Sequence, residues 1–304
     1  MSNSKILSIV VVPALLFITG LIACLTIQQG WNFELVSIII FLFSAIYILW
    51  FEHLIPFKKQ WCPSKSSFWI NLKHLLFSAI IFDALGKAMA LSFVLWSKRL
   101  FFDTSKTWNN LPLFLVFLIA TLIGEFLPYV YHRLSHIGKE NSYISLLLWR
   151  IHSIHHIPKS LNWFKTSWIH PINMFLNTFL KITPLLLLGF SEDILFLVGI
   201  SHVVISYISH ANIQSKTGML DYIITTPKIH QFHHSKNLEE AKNFGNILPY
   251  WDIVFNTYYN RKGNVDKVGL AKSNTEYPKE RKYLNQLIFP FSNLFKNCCA
   301  PVKN

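Results

Sequence analysis

LPLFLVFLIATLIGEFLPYVYHRLSH, residues 111–136, decides the fold. From Leu111 to Tyr131 the stretch is apolar with few interruptions. At 1.5 Å per residue it crosses a hydrocarbon core of about 30 Å. It then ends on His132-Arg-Leu-Ser-His136. Residues four apart share one face of a helix, so a spanning helix delivers two imidazoles together to the bilayer surface. Neutral imidazole is a good ligand for iron or zinc.

Upstream, Ile6 to Thr26 and Phe33 to Leu54 read as two further spans, joined by Gln28-Gln29-Gly30 as a helical hairpin. The first run is too long for a signal core and lacks a small-residue cleavage site. Leu75 to Trp96 reads as a third span, with Asp83, Gly86 and Lys87 facing the bundle interior because charge in hydrocarbon is costly. Lys58, Lys59, Lys65 and Lys73 mark the preceding loop as cytoplasmic. Four crossings from a cytoplasmic N-terminus put the first histidine pair at the cytoplasmic face. Lys98, Arg99 and Lys106 then fall on the other side, against the charge rule.

Downstream, His132 to Trp168 is amphipathic and aromatic-rich, suited to the interface. Ile172 to Phe190 and Ile194 to Ile208 form a hairpin through Ser191-Glu192-Asp193, which carries no basic residue. That hairpin returns the chain to the side it left. The expected divisions are transmembrane helices over 1–110, a catalytic domain over 111–260 and a basic cytoplasmic tail over 261–304.

Composition agrees with a multi-pass integral membrane protein. Of the 304 residues, 52% are apolar and 14% charged, against about 25% charged in soluble proteins. The net charge of +13 fits cytoplasmic loops and anionic headgroups. No basic run has the context of nucleic-acid binding, so no nucleic-acid partner is expected. Cys24, Cys62, Cys298 and Cys299 form no CxxC pair. The adjacent pair near the C-terminus is open between acylation and plain thiols.

Two more clusters follow the first: His152-Ser-Ile-His155-His156 and His230-Gln-Phe-His233-His234. Eight of thirteen histidines thus sit in three short runs. Structural zinc takes at most four protein ligands, so eight imidazoles point to two ions of higher coordination, and the redox-capable candidate is iron. His53 and His74 flank the lysine-bearing loop and read as interfacial, while His202 reads as a hydrogen-bonded bundle residue. His170, just before Pro171, is open between a site contact and a helix start.

On these residues the chain resembles the fatty acid hydroxylase and sterol desaturase superfamily of integral-membrane di-iron oxygenases. The likeness runs from about Glu125 to Tyr258. It rests on the three boxes, on Glu125 with Tyr129 and Tyr131, and on Trp149-Arg150, His170-Pro171, His210-Ala-Asn212 and Thr226-Pro227. It closes with Asn243-Phe-Gly245, Trp251-Asp252 and Phe255-Asn-Thr257-Tyr258. Three positions depart from the family pattern. Ser206 stands where some members carry a further histidine, Asn256 replaces a common glycine, and Ile157 replaces a small polar residue.

The resemblance implies an all-α, polytopic membrane helical bundle with a cytoplasmic histidine-rich di-metal cap. Its metal ligands would be His132, His136, His152, His155, His156, His210, His230, His233 and His234, with Glu125, Asn212, Asp252 and His170 as supporting or substrate-facing residues. It implies two iron ions, dioxygen as co-substrate, and a lipid, sterol or fatty-acyl substrate that is hydroxylated or desaturated. The chain has no GxGxxG loop and no cysteine set for a cluster. Electrons are therefore expected from a redox partner: cytochrome b5, a ferredoxin or a reductase. The rivals are a membrane zinc hydrolase and a non-catalytic metal-binding or transport protein. The first would carry HExxH, where this chain has Arg133; the second would need ionisable residues along its spans.

Overall fold

The computed structural model describes residues 3–62, 64–97, 108, 110–137, 142–271 and 276–292. Lys98, Arg99, Lys106, Cys298 and Cys299 lie outside the described residues. Within them the regular structure is helical, with two isolated β-bridges. Among the described residues five helices are long and apolar enough to cross a membrane, and the protein is an integral membrane protein.

The long helices are α1 (Asn3–Gln29), α2 (Phe33–Leu54), α4 (Ile81–Ser97), α5 (Leu113–His136) and α8 (Glu192–His210). Asn32 caps α2, its Oδ1 accepting from Leu35 N at 2.7 Å. α1, α2 and α8 bury Leu15, Ile40, Ile48 and Val204 among them. α5, α8 and the shorter α7 (Pro171–Leu187) close around Val116, Leu185, Ile194 and Val198. Outward residues such as Phe17, Ile46, Trp50 and Phe114 are exposed. In lipid such exposure carries no hydrophobic cost, and a helix satisfies its backbone internally.

The third span starts earlier than the sequence suggests. α3 (Lys65–Lys73) continues through a π-helical turn, His74–Ile80, into α4, giving one apolar rod over Ser67–Ser97. Its lower part packs on α7 where Gly86 stands. A Cβ at Gly86 would come within 2.9 Å of Thr178 Cβ and 3.0 Å of Phe175 O. Small residues permit such close helix contacts in membranes. Asp83, expected to face the interior, accepts from Thr178 Oγ1 at 2.7 Å and pairs with Lys87 at 2.7 Å.

The three boxes emerge on one side of this bundle. α5 ends on the first box, α6 (Tyr143–His156) ends on the second, and the short α9 (Pro227–His233) carries the third. The N-terminal hairpin is clamped to the same layer. The fully buried Glu52 accepts from Trp163 N at 2.7 Å and Asn212 N at 2.9 Å, while Phe57 N and Gln214 N bond across to Asn212 O and Ile55 O. The C-terminal segment packs there too: Val265, Val268, Gln286 and Phe289 are buried. Short helices α10 (Tyr250–Val254) and α11 (Tyr283–Ile288) complete the layer.

Candidate metal centre

Nine imidazoles collect into two adjacent compartments. His132, His136, His152, His156 and His233 form one, and His155, His210, His230 and His234 the other; within each, the donor atoms lie within 4.8 Å of one another. The two share a wall, with the rings of His156 and His234 centred 4.4 Å apart.

Helical geometry makes this division. At 3.6 residues per turn, positions i and i+4 lie about 40° apart around the axis, and i+3 falls on the other side of i. In the second box His152 and His156 therefore enter one compartment while His155 enters the other. In the third box the assignment is exchanged: His230 and His234 share a compartment and His233 crosses over. One HxxHH run thus serves two sites. The third box is set by the start of α9. Pro227 occupies the first turn, and Thr226 at the cap donates its hydroxyl to Asp221 Oδ1 at 2.7 Å.

The tautomers follow from the hydrogen bonds. A carbonyl oxygen only accepts, so a ring nitrogen facing one must carry the proton. His132 Nδ1 donates to Phe244 O at 2.7 Å, His155 Nδ1 to Trp168 O at 2.9 Å, His210 Nδ1 to Ser206 O at 3.0 Å and His233 Nδ1 to Lys242 O at 2.9 Å. His152 Nδ1 donates to Asn173 Oδ1 at 3.0 Å; this oxygen also accepts from Tyr131 OH at 3.2 Å. Each of these rings is left with a bare lone pair on Nε2, aimed inward.

Those lone pairs face one another without a proton between them. His132 Nε2 lies 3.0 Å from His152 Nε2 and 3.1 Å from His233 Nε2, and His155 Nε2 lies 3.2 Å from His210 Nε2. His136 Nε2 is buried and has no hydrogen-bond partner. Facing lone pairs repel, and a cation between them turns that repulsion into ligation. The donor set therefore fits metal ions. Burial, reinforced by neighbouring rings, holds His152, His156, His230, His233 and His234 well below the ordinary imidazole range, and burial lowers His155 to about 4. All six stay neutral near pH 7, the form that ligates.

The strap 242–245 supplies two of the orienting carbonyls. Asn243 adopts φ +60° and is tied by its side chain to Ile229 O and to both the N–H and C=O of Tyr259. Asp252 accepts from Phe244 N at 2.8 Å, Gly245 N at 2.7 Å and Thr257 Oγ1 at 2.6 Å. It thus acts on His132 through the backbone. Gly245 leaves no room for a side chain, since its Cβ would fall 2.1 Å from Leu248 O. Asn256 has φ +55°, a conformation asparagine tolerates better than most residues, which explains why a glycine suits that position.

Other expected supporting residues stand elsewhere. Glu125 reaches no box histidine; it accepts from Ile247 N at 3.1 Å and pairs with His202 Nδ1 at 3.2 Å. Asn212 departs from the expected place beside the ions, because its amide bonds Lys58 N and Lys58 O and so fastens the loop after α2. His170 caps α7, accepting from Ile172 N at 3.2 Å, and donates from Nε2 to Leu287 O at 3.1 Å. Neither His170 nor His202 joins either compartment. His74, expected at the interface, is fully buried: it bonds Gln286 Oε1 at 2.9 Å and stacks on Trp168 at 4.5 Å. Gln286, which covers it, lies 212 residues away in sequence, so local polarity gave no sign. His53 is exposed, as expected of an interfacial residue. Sequence reasoning missed Asn173. Its only signal is its place one turn after the His170-Pro171 pair.

Fold and site together define a helical membrane protein with a two-compartment histidine metal centre. Residues 117–257 match the fatty acid hydroxylase family, so that stretch carries a fatty acid hydroxylase domain. All nine gathered histidines fall inside the matched region. The chain is 29% identical to an ornithine lipid hydroxylase of Rhizobium tropici over 84% of its own length and 75% of that protein. It is 25% identical to the human alkylglycerol monooxygenase over 51% of its length, which is 31% of that larger protein. Both relatives are lipid-modifying oxygenases by name, and they support an oxidoreductase here. No solved structure matches the chain.

Proposed function

We propose that the protein is a di-iron lipid hydroxylase: RH + O2 + 2 electrons + 2 protons gives ROH + H2O. The observation that carries this reading is the set of inward Nε2 lone pairs, fixed by carbonyls and lying 3.0–3.2 Å apart. The nine histidines would hold the ions, the set of five taking one and the set of four its neighbour. Five nitrogens exceed the four of a structural zinc site, which disfavours the hydrolase reading. Bound iron would supply the activation of dioxygen toward an unactivated C–H bond.

The chain's own residues do the rest. Phe244, Lys242, Trp168 and Ser206 hold the proton on Nδ1 of their histidines and so keep Nε2 free to ligate. Asn173 does this for His152, and Asp252 keeps the strap at its distance. We assign residues 111–260 to catalysis, 1–110 to anchoring and 261–304 to a basic segment; the lysines of the loop after α2, which lies on the side of the boxes, favour a cytoplasmic face for them. Electrons come from a separate carrier on that side. Hydroxylation is favoured over desaturation because both relatives carry oxygen-inserting names, and a polar glycerol- or amino-acid-based lipid is the substrate class their names support.

Metal analysis of the purified chain tests the centre, and lipid profiling under isotopic dioxygen tests the reaction. About two irons per chain and one labelled oxygen per product are expected. Stoichiometric zinc without iron would overturn the first, and a new double bond without inserted label would overturn the second.

A further inference from the structure

The segment 279–291 turns its sides in an unusual direction. Three of its polar groups face inward: Tyr283 OH meets Ser78 Oγ at 3.0 Å, Gln286 Oε1 bonds His74 at 2.9 Å, and Leu287 O accepts from His170 at 3.1 Å. Phe289 packs inward with them, while three other large apolar residues face outward. Leu284 and Ile288, four apart on α11, share one face and are 69% and 62% exposed, and Phe291 just beyond that helix is 52% exposed. Lys279, Arg281 and Lys282, just before that face, are exposed as well. An apolar stripe beside basic residues, on a short helix too small to span, is the pattern of an element lying in a membrane interface.

Its height in the fold agrees. The rod it touches runs over 31 residues, whereas about 20 cross the hydrocarbon core. The surplus falls at the rod's first end, which reaches the histidine layer where His74 stacks on Trp168 and Trp168 O meets His155, and Ser78 stands one turn beyond His74. Phe77 and Ile81, neighbours of Ser78 on the rod, are themselves exposed, so the apolar face of the segment continues a lipid-facing surface already present.

We infer that residues 279–291 form an interfacial anchor seated on the bilayer, with Leu284, Ile288 and Phe291 among the upper acyl chains and Lys279, Arg281 and Lys282 on anionic lipid headgroups. The anchor is joined to the histidine layer. Gln286 holds His74, His74 stacks on Trp168, and Trp168 O orients His155. The lipid surface is thereby linked mechanically to the wall of the four-histidine compartment. The inference stands whether or not the compartments hold iron.

The test uses the full chain in nanodiscs of phosphatidylcholine with a minor share of phosphatidylglycerol. A photo-crosslinking phenylalanine analogue is placed at Leu284, Ile288 or Phe291 in turn, with Leu238, an exposed residue of the loop after the third box, as the comparison position. Mass spectrometry should find lipid adducts at the three sites and few at Leu238. The share of phosphatidylglycerol among them should exceed its bulk share. In the triple variant Lys279→Glu, Arg281→Glu, Lys282→Glu that excess should disappear, each lost charge removing roughly a fivefold preference. Adducts to a second protein chain, no lipid adducts at the three sites, or adducts without anionic excess would each overturn the inference. The probed side chains are exposed, so the substitutions leave the core intact, and circular dichroism of each variant verifies it.

Discussion

The two histidine compartments are built alike but held differently. In the five-histidine compartment, His132, His152 and His233 each have Nδ1 fixed by a protein oxygen, and two of those oxygens belong to the strap that Asp252 and Asn243 tie down. In the four-histidine compartment only His155 and His210 are fixed in this way, while Nδ1 of His230 and of His234 is buried without a partner. An unanchored ring samples more orientations, so the same ligand type gives a weaker, more labile site. The difference leads to the expectation that the oxygens behind the rings, and not the number of rings alone, set how firmly each compartment would hold a metal.

The strongest way to break this comparison is to delete a ligand from each side. His132→Ala and His155→Ala should each abolish lipid product, with about half the iron lost, and the remaining iron should sit in the untouched compartment. Full product from His155→Ala would remove the catalytic assignment. Next in size, Asp252→Asn should weaken metal binding by about 10- to 100-fold in the five-histidine compartment and much less in its neighbour, read by competition with a chelator. In the unaltered protein the same chelator should remove iron in two phases, the four-histidine compartment emptying first. A single phase would show that the two behave as one unit.

Acid offers a milder probe. The folded His155 titrates at about 4 against an ordinary 6.5, and its buried neighbours are lowered too. A ring with a depressed folded value stabilises the native state above the unfolded value, and that contribution is lost as pH falls through 6.5 toward 4. Both metal content and thermal stability should therefore decline from pH 6.5 to 4. Iron content unchanged at pH 5 would contradict the neutral-imidazole site. The smallest effect concerns Asn256, whose φ of +55° carries a modest strain. Asn256→Gly should raise stability by less than about 1 kcal/mol, seen as a small rise in Tm without a change in iron.

Much of the centre was legible because its signals are local. An apolar run ending on HxxxH announces both the span and the imidazole pair, but spacing alone suggests that each HxxHH run aims at one common point, whereas the folded chain divides each run between two compartments. The supports were less legible because they are backbone carbonyls, which any residue can supply. Trp168 and Ser206 hold histidines through atoms that sequence does not distinguish. Asn173 carries only its proximity to His170-Pro171. Asn212 misled because a polar residue two places from His210 turns instead to Lys58.

Hydrophobic length and imidazole spacing act within single segments, so the membrane class, most of the helical spans and the histidine sets able to hold metal are already written in the chain. Tertiary structure alone decided the rest. Which carbonyl orients which ring, how Glu52 clamps the N-terminal hairpin, and why His74 is buried under Gln286 all depend on segments tens to hundreds of residues apart. Hydrogen bonds of that reach exist only after packing has brought their partners to within about 3 Å, and the linear order of residues does not contain that distance.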